Sequence, residues 1–322
     1  MASFAEESAL LRELDQLADS GRHQEVLDRL TRVPAAMLQS RTRFALLMAE
    51  TTGRLGDLVA AARWAEAALT LARQRGERHA ELRARNYQGA IALRRGDVSA
   101  AEAHLLDALE LARPLGEHAI EARCLNNLGI LANMRGDQQT ALAYYRFALA
   151  AYQKIGFTRG IAETYHNIGI SRRDLGDLAG ALEAAEQALR LAGETGDERV
   201  AALAATDLAE LHLLLGDAPL AAAELERATE RYLRIGFRVG LAEVWRLQAA
   251  VARTRGQLPD AVRLLTNGAA LAAEHELTEV LADIERDLAT TLEQSGDKAG
   301  AAAARSRAAA LYAKFGARAQ RS

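Results

Sequence analysis

Hydrophobic and polar positions along the chain follow a helical pattern on both sides of a recurring Gly-Asp pair. In residues 124–156, CLNNLGILANMRGDQQTALAYYRFALAAYQKIG, apolar residues recur three and four positions apart before and after Gly136-Asp137. Glycine supplies the left-handed residue that ends a helix, and the following aspartate can accept from the free N–H groups of the next helix. The stretch therefore predicts two helices joined by a tight turn: helix A before the glycine and helix B after it.

The turn glycine recurs at a fixed step along nearly the whole chain. It stands every 40 residues, at Gly56, Gly96, Gly136, Gly176, Gly216, Gly256 and Gly296. A second glycine follows each helix B with the same step, from Gly76 to Gly316, and only Glu276 departs from it. A fixed period between about 20 and 50 residues is the signature of a repeat array. The pattern thus predicts an all-α stack of helical hairpins without a sheet.

Small residues hold matching places in every repeat. In the repeat around Gly136 they are Gly129 in helix A, and Ala141 and Ala148 in helix B. Small residues at such places let two helix backbones approach closely. At these residues and the turn glycine, the chain resembles the tetratricopeptide repeat (TPR) family, whose usual period is about 34 residues.

The longer period of 40 residues resembles one branch of that family. This branch is seen in spindle-orientation adaptors, kinesin light chains and the TPR arms of bacterial signalling regulators. The resemblance implies a right-handed superhelical solenoid of about eight hairpins, over residues 1–316. Within it we expect an irregular first hairpin at 1–38 with its turn at Gly21, regular repeats at 39–276, and a C-terminal capping repeat at 277–316. Residues 317–322 are expected to form a disordered tail.

Composition narrows the classes of function. The chain of 322 residues is 50% hydrophobic and 26% charged, with a net charge of −3, which is ordinary for a soluble protein and argues against a nucleic-acid partner. The single cysteine, Cys124, excludes an intrachain disulfide and a cysteine zinc cluster, and we expect it to be a small buried residue. Neither a secretory signal nor an apolar run of about 18 residues is present. We therefore expect a cytoplasmic protein without a membrane partner.

No catalytic motif stands out from the repeats. The seven histidines are scattered singly, without a second histidine or a cysteine at metal-binding spacing. Phosphate-binding glycine loops, nucleophile elbows and dinucleotide fingerprints are missing as well. We therefore predict a protein that is not an enzyme and holds no metal or cofactor.

The resemblance implies that helix A lines a concave groove in which the family binds peptides. Groove positions carried over residue by residue are Arg83, Asn86, Arg94, Arg123, Asn126, Asn127, Asn133, His166, Asn167, Arg173, Asp207 and Arg246. The excess of arginine favours an acidic or extended peptide segment as the ligand. Each arginine could instead be a solvated surface residue, and each asparagine could tie neighbouring hairpins together.

Three aromatic residues fall on helix B positions that are polar in other repeats. Trp64, Tyr144 and Phe147 are therefore expected to face outward on the convex side, as a second contact surface. The leading hypothesis is a protein- or peptide-binding scaffold or adaptor. The first alternative is a regulatory sensor module that changes its pitch when a ligand binds. The second alternative is a homo-oligomeric scaffold that uses the convex aromatic residues.

Overall fold

The structure is a computed structural model that describes residues 4–19 and 22–314. Within these ranges the chain forms helices and turns and no strand, so the all-α prediction is confirmed. The helices are α1 (Phe4–Asp19), α2 (His23–Leu30), α3 (Ala35–Ser40), α4 (Thr42–Arg54), α5 (Leu58–Arg75), α6 (Arg78–Arg94), α7 (Val98–Leu115), α8 (His118–Met134), α9 (Gln138–Lys154), α10 (Thr158–Asp174), α11 (Leu178–Thr195), α12 (Glu198–Leu214), α13 (Ala218–Arg234), α14 (Leu241–Thr254), α15 (Leu258–Glu274), α16 (Thr278–Gln294) and α17 (Lys298–Lys314). The predicted turn at Gly21, the closing Gly316 and the tail 317–322 lie outside the described residues.

The helices fall into two compact units. The first unit, Met1–Phe157, contains α1 to α9, and its hairpins are α4–α5, α6–α7 and α8–α9. The second unit, Thr158–Ser322, contains α10 to α17, and its hairpins are α10–α11, α12–α13, α14–α15 and α16–α17. In every hairpin the even-numbered helix is helix A and the odd-numbered helix is helix B. At the start of the chain the structure adds the short helix α3, which the sequence pattern did not predict.

The turns have the predicted chemistry. Gly136 has a φ of 78°, and the Oδ1 atom of Asp137 accepts from the backbone N–H of Thr140 at 3.1 Å. Aspartates at the same place cap the other B helices except α15, where Gln257 makes no side-chain cap. Glu276 occupies the second glycine position with a φ of 53°, a left-handed conformation that disfavours side chains with a Cβ atom. Aspartate capping therefore sets the start of these B helices, and a residue in the left-handed conformation follows the end of the helix before each turn.

Small residues lie where helices A and B meet, as predicted. Ala141 and Ala148 are both 0% exposed. A Cβ atom added to Gly129 would lie 2.3 Å from Cε1 of Tyr145, so the aromatic ring fills the space that the glycine leaves open. The core of each hairpin is thus built from close backbone approach on one side and a larger apolar side chain on the other.

Candidate functional site

A cavity of about 320 Å³ lies on the helix A face of the first unit, between α6 and α8. Its lining residues are His79, Arg83, Asn86 and Tyr87 from α6, Ala119, Ile120 and Arg123 from α8, and Glu117 just before α8. Three predicted groove residues, Arg83, Asn86 and Arg123, are thereby brought together. The cavity combines guanidinium and amide donors with an apolar wall, which suits a ligand that has both polar and apolar parts.

Arg83 lies near acidic and hydroxyl groups of its own unit, although no carboxylate of the described residues is within ion-pair distance of it. The Tyr87 hydroxyl, one helical turn along α6, donates a hydrogen bond to Oε2 of Glu50 at 2.5 Å. Burial by itself lowers the pKa of Arg83, but Tyr87, Glu50 and Asp15 together outweigh that effect and raise the pKa above its usual value. The positive charge of Arg83 is thus partly balanced by Glu50 and Asp15.

Arg123 is the second arginine of the cavity lining. Its side chain is exposed at the cavity, and no carboxylate of residues 4–19 or 22–314 lies within ion-pair distance of its guanidinium group. Across the cavity entrance, Nδ1 of His79 and Oε1 of Glu117 are 2.8 Å apart and join the starts of α6 and α8. Arg123 therefore supplies an exposed positive charge to this site, without an ion-pair partner among the described residues.

Beneath the cavity, Asn86 has a structural partner. Its Oδ1 atom accepts from the Cys124 thiol at 3.6 Å, and both residues are buried. Burial raises the pKa of Cys124 to about 12, so the thiol stays protonated at neutral pH. The structure therefore supports the expectation that Cys124 is a packed residue of the interior.

The remaining predicted residues of the first unit lie outside the cavity lining. Arg94, at the end of α6, is exposed and donates to the carbonyl oxygen of Gly53. Burial of its stem, followed by the nearby charge of Arg54, lowers the pKa of Arg94. Asn126 is buried, and Asn133 is half-buried; neither is without a partner. Asn127 is half-buried and lies one turn after Arg123 on α8.

In the second unit the predicted cations are engaged by carboxylates. Arg246 is only 9% exposed, and its guanidinium group contacts Glu210 at 3.0 Å, Glu243 at 2.6 Å and Asp287 at 3.0 Å. Burial alone lowers the pKa of Arg246, but these carboxylates outweigh it and raise the pKa well above the usual value. This arrangement joins α12, α14 and α16 and leaves the arginine little capacity for a ligand.

Other predicted residues of the second unit are paired as well. Arg173 contacts Asp174 at 3.0 Å and also Glu210, and Nδ1 of His166 contacts the Asp207 carboxylate. Burial lowers the pKa of His166, but Asp207 outweighs that effect, so the pKa is raised overall. Asn167 is half-buried and is not without a partner. These contacts favour a structural role for this set of residues.

The convex aromatic residues differ from one another. Phe147 is 64% exposed, as expected, whereas Tyr144 is half-buried. Trp64 differs from the expectation: it is half-buried and packs against Leu14 of α1 and Phe44 of α4, among other core residues. Of these three residues, only Phe147 presents a largely exposed aromatic ring.

In the described part of the chain, no group of three or more His, Cys, Asp or Glu residues is arranged to hold a metal ion. Among the same residues, no helix combines the length and the apolar character that crossing a membrane requires.

Comparisons with known proteins agree with the fold. No curated protein sequence matches the chain. A Rap protein complexed with competence and sporulation factor is 18% identical and has a TM-score of 0.66, covering 96% of this chain and 98% of its own. NprR in complex with its cognate peptide NprX is 16% identical, with a TM-score of 0.65 and coverage of 97% and 94%.

A third similar structure comes from Pyrococcus horikoshii. It is a signal transduction ATPase with numerous domains and a tetratricopeptide repeat sensor, 14% identical, with a TM-score of 0.64 and coverage of 98% of this chain and 50% of its own. The tetratricopeptide repeat family model matches residues 81–154 and 160–234. This match confirms the resemblance that the repeat glycines and alanines indicated. Residues 81–154 and 160–234 belong to the tetratricopeptide repeat family.

Proposed function

We propose that this chain is a non-enzymatic TPR protein that binds an acidic or extended peptide segment at the α6–α8 cavity of its first unit. The observation that carries the proposal is the exposed guanidinium group of Arg123, which has no carboxylate partner among the described residues and lies beside Arg83 and an apolar wall. Arginine can grip a carboxylate with two parallel N–H···O bonds. Rap and NprR, which have the same fold, were solved with bound factors, and this supports a ligand-binding role.

The experiment uses fluorescent dodecapeptides in three matched series, with glutamate, glutamine or lysine scanned through a host of alanine, leucine and serine. Fluorescence anisotropy should give saturable binding for some glutamate peptides and weaker binding for their glutamine and lysine counterparts. Affinity should fall between 0.1 M and 1 M salt, because the screening length shortens from about 10 Å to about 3 Å. Equal affinity for the three series would contradict an acidic ligand.

Two variants test whether the glutamate peptides bind at the α6–α8 cavity. Arg83→Glu/Arg123→Glu should abolish binding of the glutamate peptides. Arg63→Glu/Arg146→Glu is the matched control, because both are exposed arginines of the same unit without an ion pair to a described residue, and the change in net charge is the same. If both variants reduce affinity equally, with circular dichroism showing intact helices, then binding follows overall charge and the cavity is not the site.

A regulatory sensor is the second candidate. It is favoured by the likeness to NprR, described as a quorum sensor, and to a signalling ATPase with a TPR sensor. A sensor should change its dimensions when a glutamate peptide binds, which small-angle X-ray scattering measures at saturating peptide. An unchanged radius of gyration would favour a static adaptor.

A further inference from the structure

The arginines on the helix A face of the first unit have a recurring partner. Arg43, in α4, forms an ion pair with Asp15 of α1. Asp15 stands six residues before Gly21 in the sequence, and Glu50 stands six residues before Gly56. The two carboxylates therefore occupy the same place in successive repeats, facing the helix A of the repeat that follows.

The next repeat has the same residue types at these places, although Arg83 and Glu50 attract each other without forming an ion pair. Arg83 stands 40 residues after Arg43, and it interacts with both Glu50 and the Tyr87 hydroxyl. Tyr87 donates its own hydrogen bond to Glu50 at 2.5 Å. The Glu50 carboxylate of the preceding repeat thus accepts a hydrogen bond from Tyr87 and attracts Arg83, which lies four residues before Tyr87 on the same face of α6.

The pattern is broken at the third arginine. Arg123 and Asn127 on α8 correspond to Arg83 and Tyr87, but the position that corresponds to Glu50 is Ala90, which has no carboxylate. Within residues 4–19 and 22–314, neither the Arg123 guanidinium group nor the Asn127 amide makes a hydrogen bond or an ion pair. Two donors therefore face a place where the two preceding repeats each have an acid.

We propose that an aspartate or glutamate side chain of the ligand occupies this place, paired with Arg123 and accepting a hydrogen bond from Asn127. The inference rests on the proposed function and deepens it, since it fixes one acidic residue of the ligand at one point of the fold. Hydrogen bonds between ionised groups are shorter and stronger than neutral ones. The neighbouring apolar wall of Ala119 and Ile120 would contact an aliphatic residue beside that acid.

The test restores the missing acid from within the chain. Ala90 is half-buried on α6, at the place from which Glu50 reaches Tyr87 one repeat earlier. Ala90→Glu should therefore pair with Arg123 and compete with the ligand. Ala90→Gln is the matched control, with nearly the same shape and no charge. Because the substitution adds a contact, Ala90→Glu should also raise the melting temperature, whereas disruption of the helix would lower it.

The probe is N-acetyl-L-glutamate methylamide, with the glutamine analogue as its neutral counterpart, and the readout is the arginine Nε–H NMR resonances. In wild type and Ala90→Gln, the Arg123 resonance should shift saturably with the glutamate probe only. In Ala90→Glu the affinity of the Arg123 site for the glutamate probe should fall at least about fivefold. This factor follows from the usual strength of a hydrogen bond to a charged group. Equal affinities in the three proteins, or no response of Arg123 in wild type, would overturn the inference.

The reciprocal variant removes the acid near Arg83 and should create a second binding site for the glutamate probe. Glu50→Ala should leave Arg83 without its acid, so that the Arg83 resonance begins to respond to the glutamate probe. The two proposals also fail separately. If no dodecapeptide binds while Arg123 responds to the small probe, the peptide-binding function is lost and the carboxylate site stands. If glutamate peptides bind wild type and Ala90→Glu equally well, the inference alone is lost.

Discussion

The contact between Gly129 and Tyr145 decides how closely α8 and α9 approach in the first unit. A Cβ atom at position 129 would lie 2.3 Å from Cε1 and 2.6 Å from Cδ1 of the Tyr145 ring, well inside van der Waals contact. The ring is only 1% exposed, so it has no solvent-filled space into which it can move freely. Gly129→Ala therefore requires either a shift of the ring or a separation of the two helices.

Two opposing free energies set the result. Replacing glycine by alanine inside a helix stabilises by about 1 kcal/mol, while forcing extra atoms into a packed core costs about 1–3 kcal/mol. Gly129→Ala alone should thus lower the free energy of unfolding by up to about 2 kcal/mol. Two of the four equivalent pairs in the second unit, Ala209 with Leu225 and Ala249 with Leu265, combine alanine with leucine. In a Tyr145→Leu background, Gly129→Ala should therefore stabilise by up to about 1 kcal/mol.

The assay is urea denaturation followed by tryptophan fluorescence. The chain has two tryptophans, Trp64 in the first unit and Trp245 in the second, so a Trp245→Phe background reports on the first unit alone. Gly53→Ala is the control, since its added Cβ would lie at an ordinary 3.6 Å from the nearest atom, Cβ of Ala61. The reasoning is refuted if Gly129→Ala changes stability equally with Tyr145 and with leucine at that position.

Four other predictions follow from the same structure. Glu276→Gly should raise the free energy of unfolding by about 1 kcal/mol, because it relieves a left-handed backbone, and a lower urea midpoint would contradict this. The folded state raises the pKa of His166, so the stability that Asp207→Asn removes should be largest near pH 5 and shrink as the pH rises through the folded pKa; a pH-independent difference would exclude the pair. Arg246→Met should cost about 3–5 kcal/mol by leaving three carboxylates without their cation, while the folded protein should bind glutamate peptides as wild type does. Ala141→Leu should overpack a fully buried site, which lowers the free energy of unfolding by about 1–3 kcal/mol and with it the melting temperature. An unchanged melting temperature would contradict this prediction.

The fold was predictable because the ends of its helices are set by local contacts. Gly136 ends a helix and Asp137 starts the next through contacts within four residues, and that unit recurs every 40 residues. The start of the chain was less predictable, because no neighbouring repeat fixes its register. Helix α3 and the cover over Trp64 depend on how the N-terminal helices pack against α4, which the repeat pattern does not contain.

The site was only partly predictable for a related reason. The repeat register correctly placed Arg83, Asn86 and Arg123 near one another. It did not show that Arg246 and Arg173 would be neutralised, because that depends on carboxylates of other repeats lying at ion-pair distance.

One position of helix A shows how charge is distributed between the units. It is arginine at Arg43, Arg83 and Arg123, and it is acidic at Glu163, Glu243 and Asp283. The net charge of −3 for the whole chain does not reveal this difference in charge between the repeats. An anionic segment gains electrostatic attraction near the first set and meets repulsion near the second, because like charges across an interface suppress binding. The acids of the second unit also pair with its own arginines, such as Glu243 with Arg246, so the residues that stabilise that unit would also repel an acidic segment.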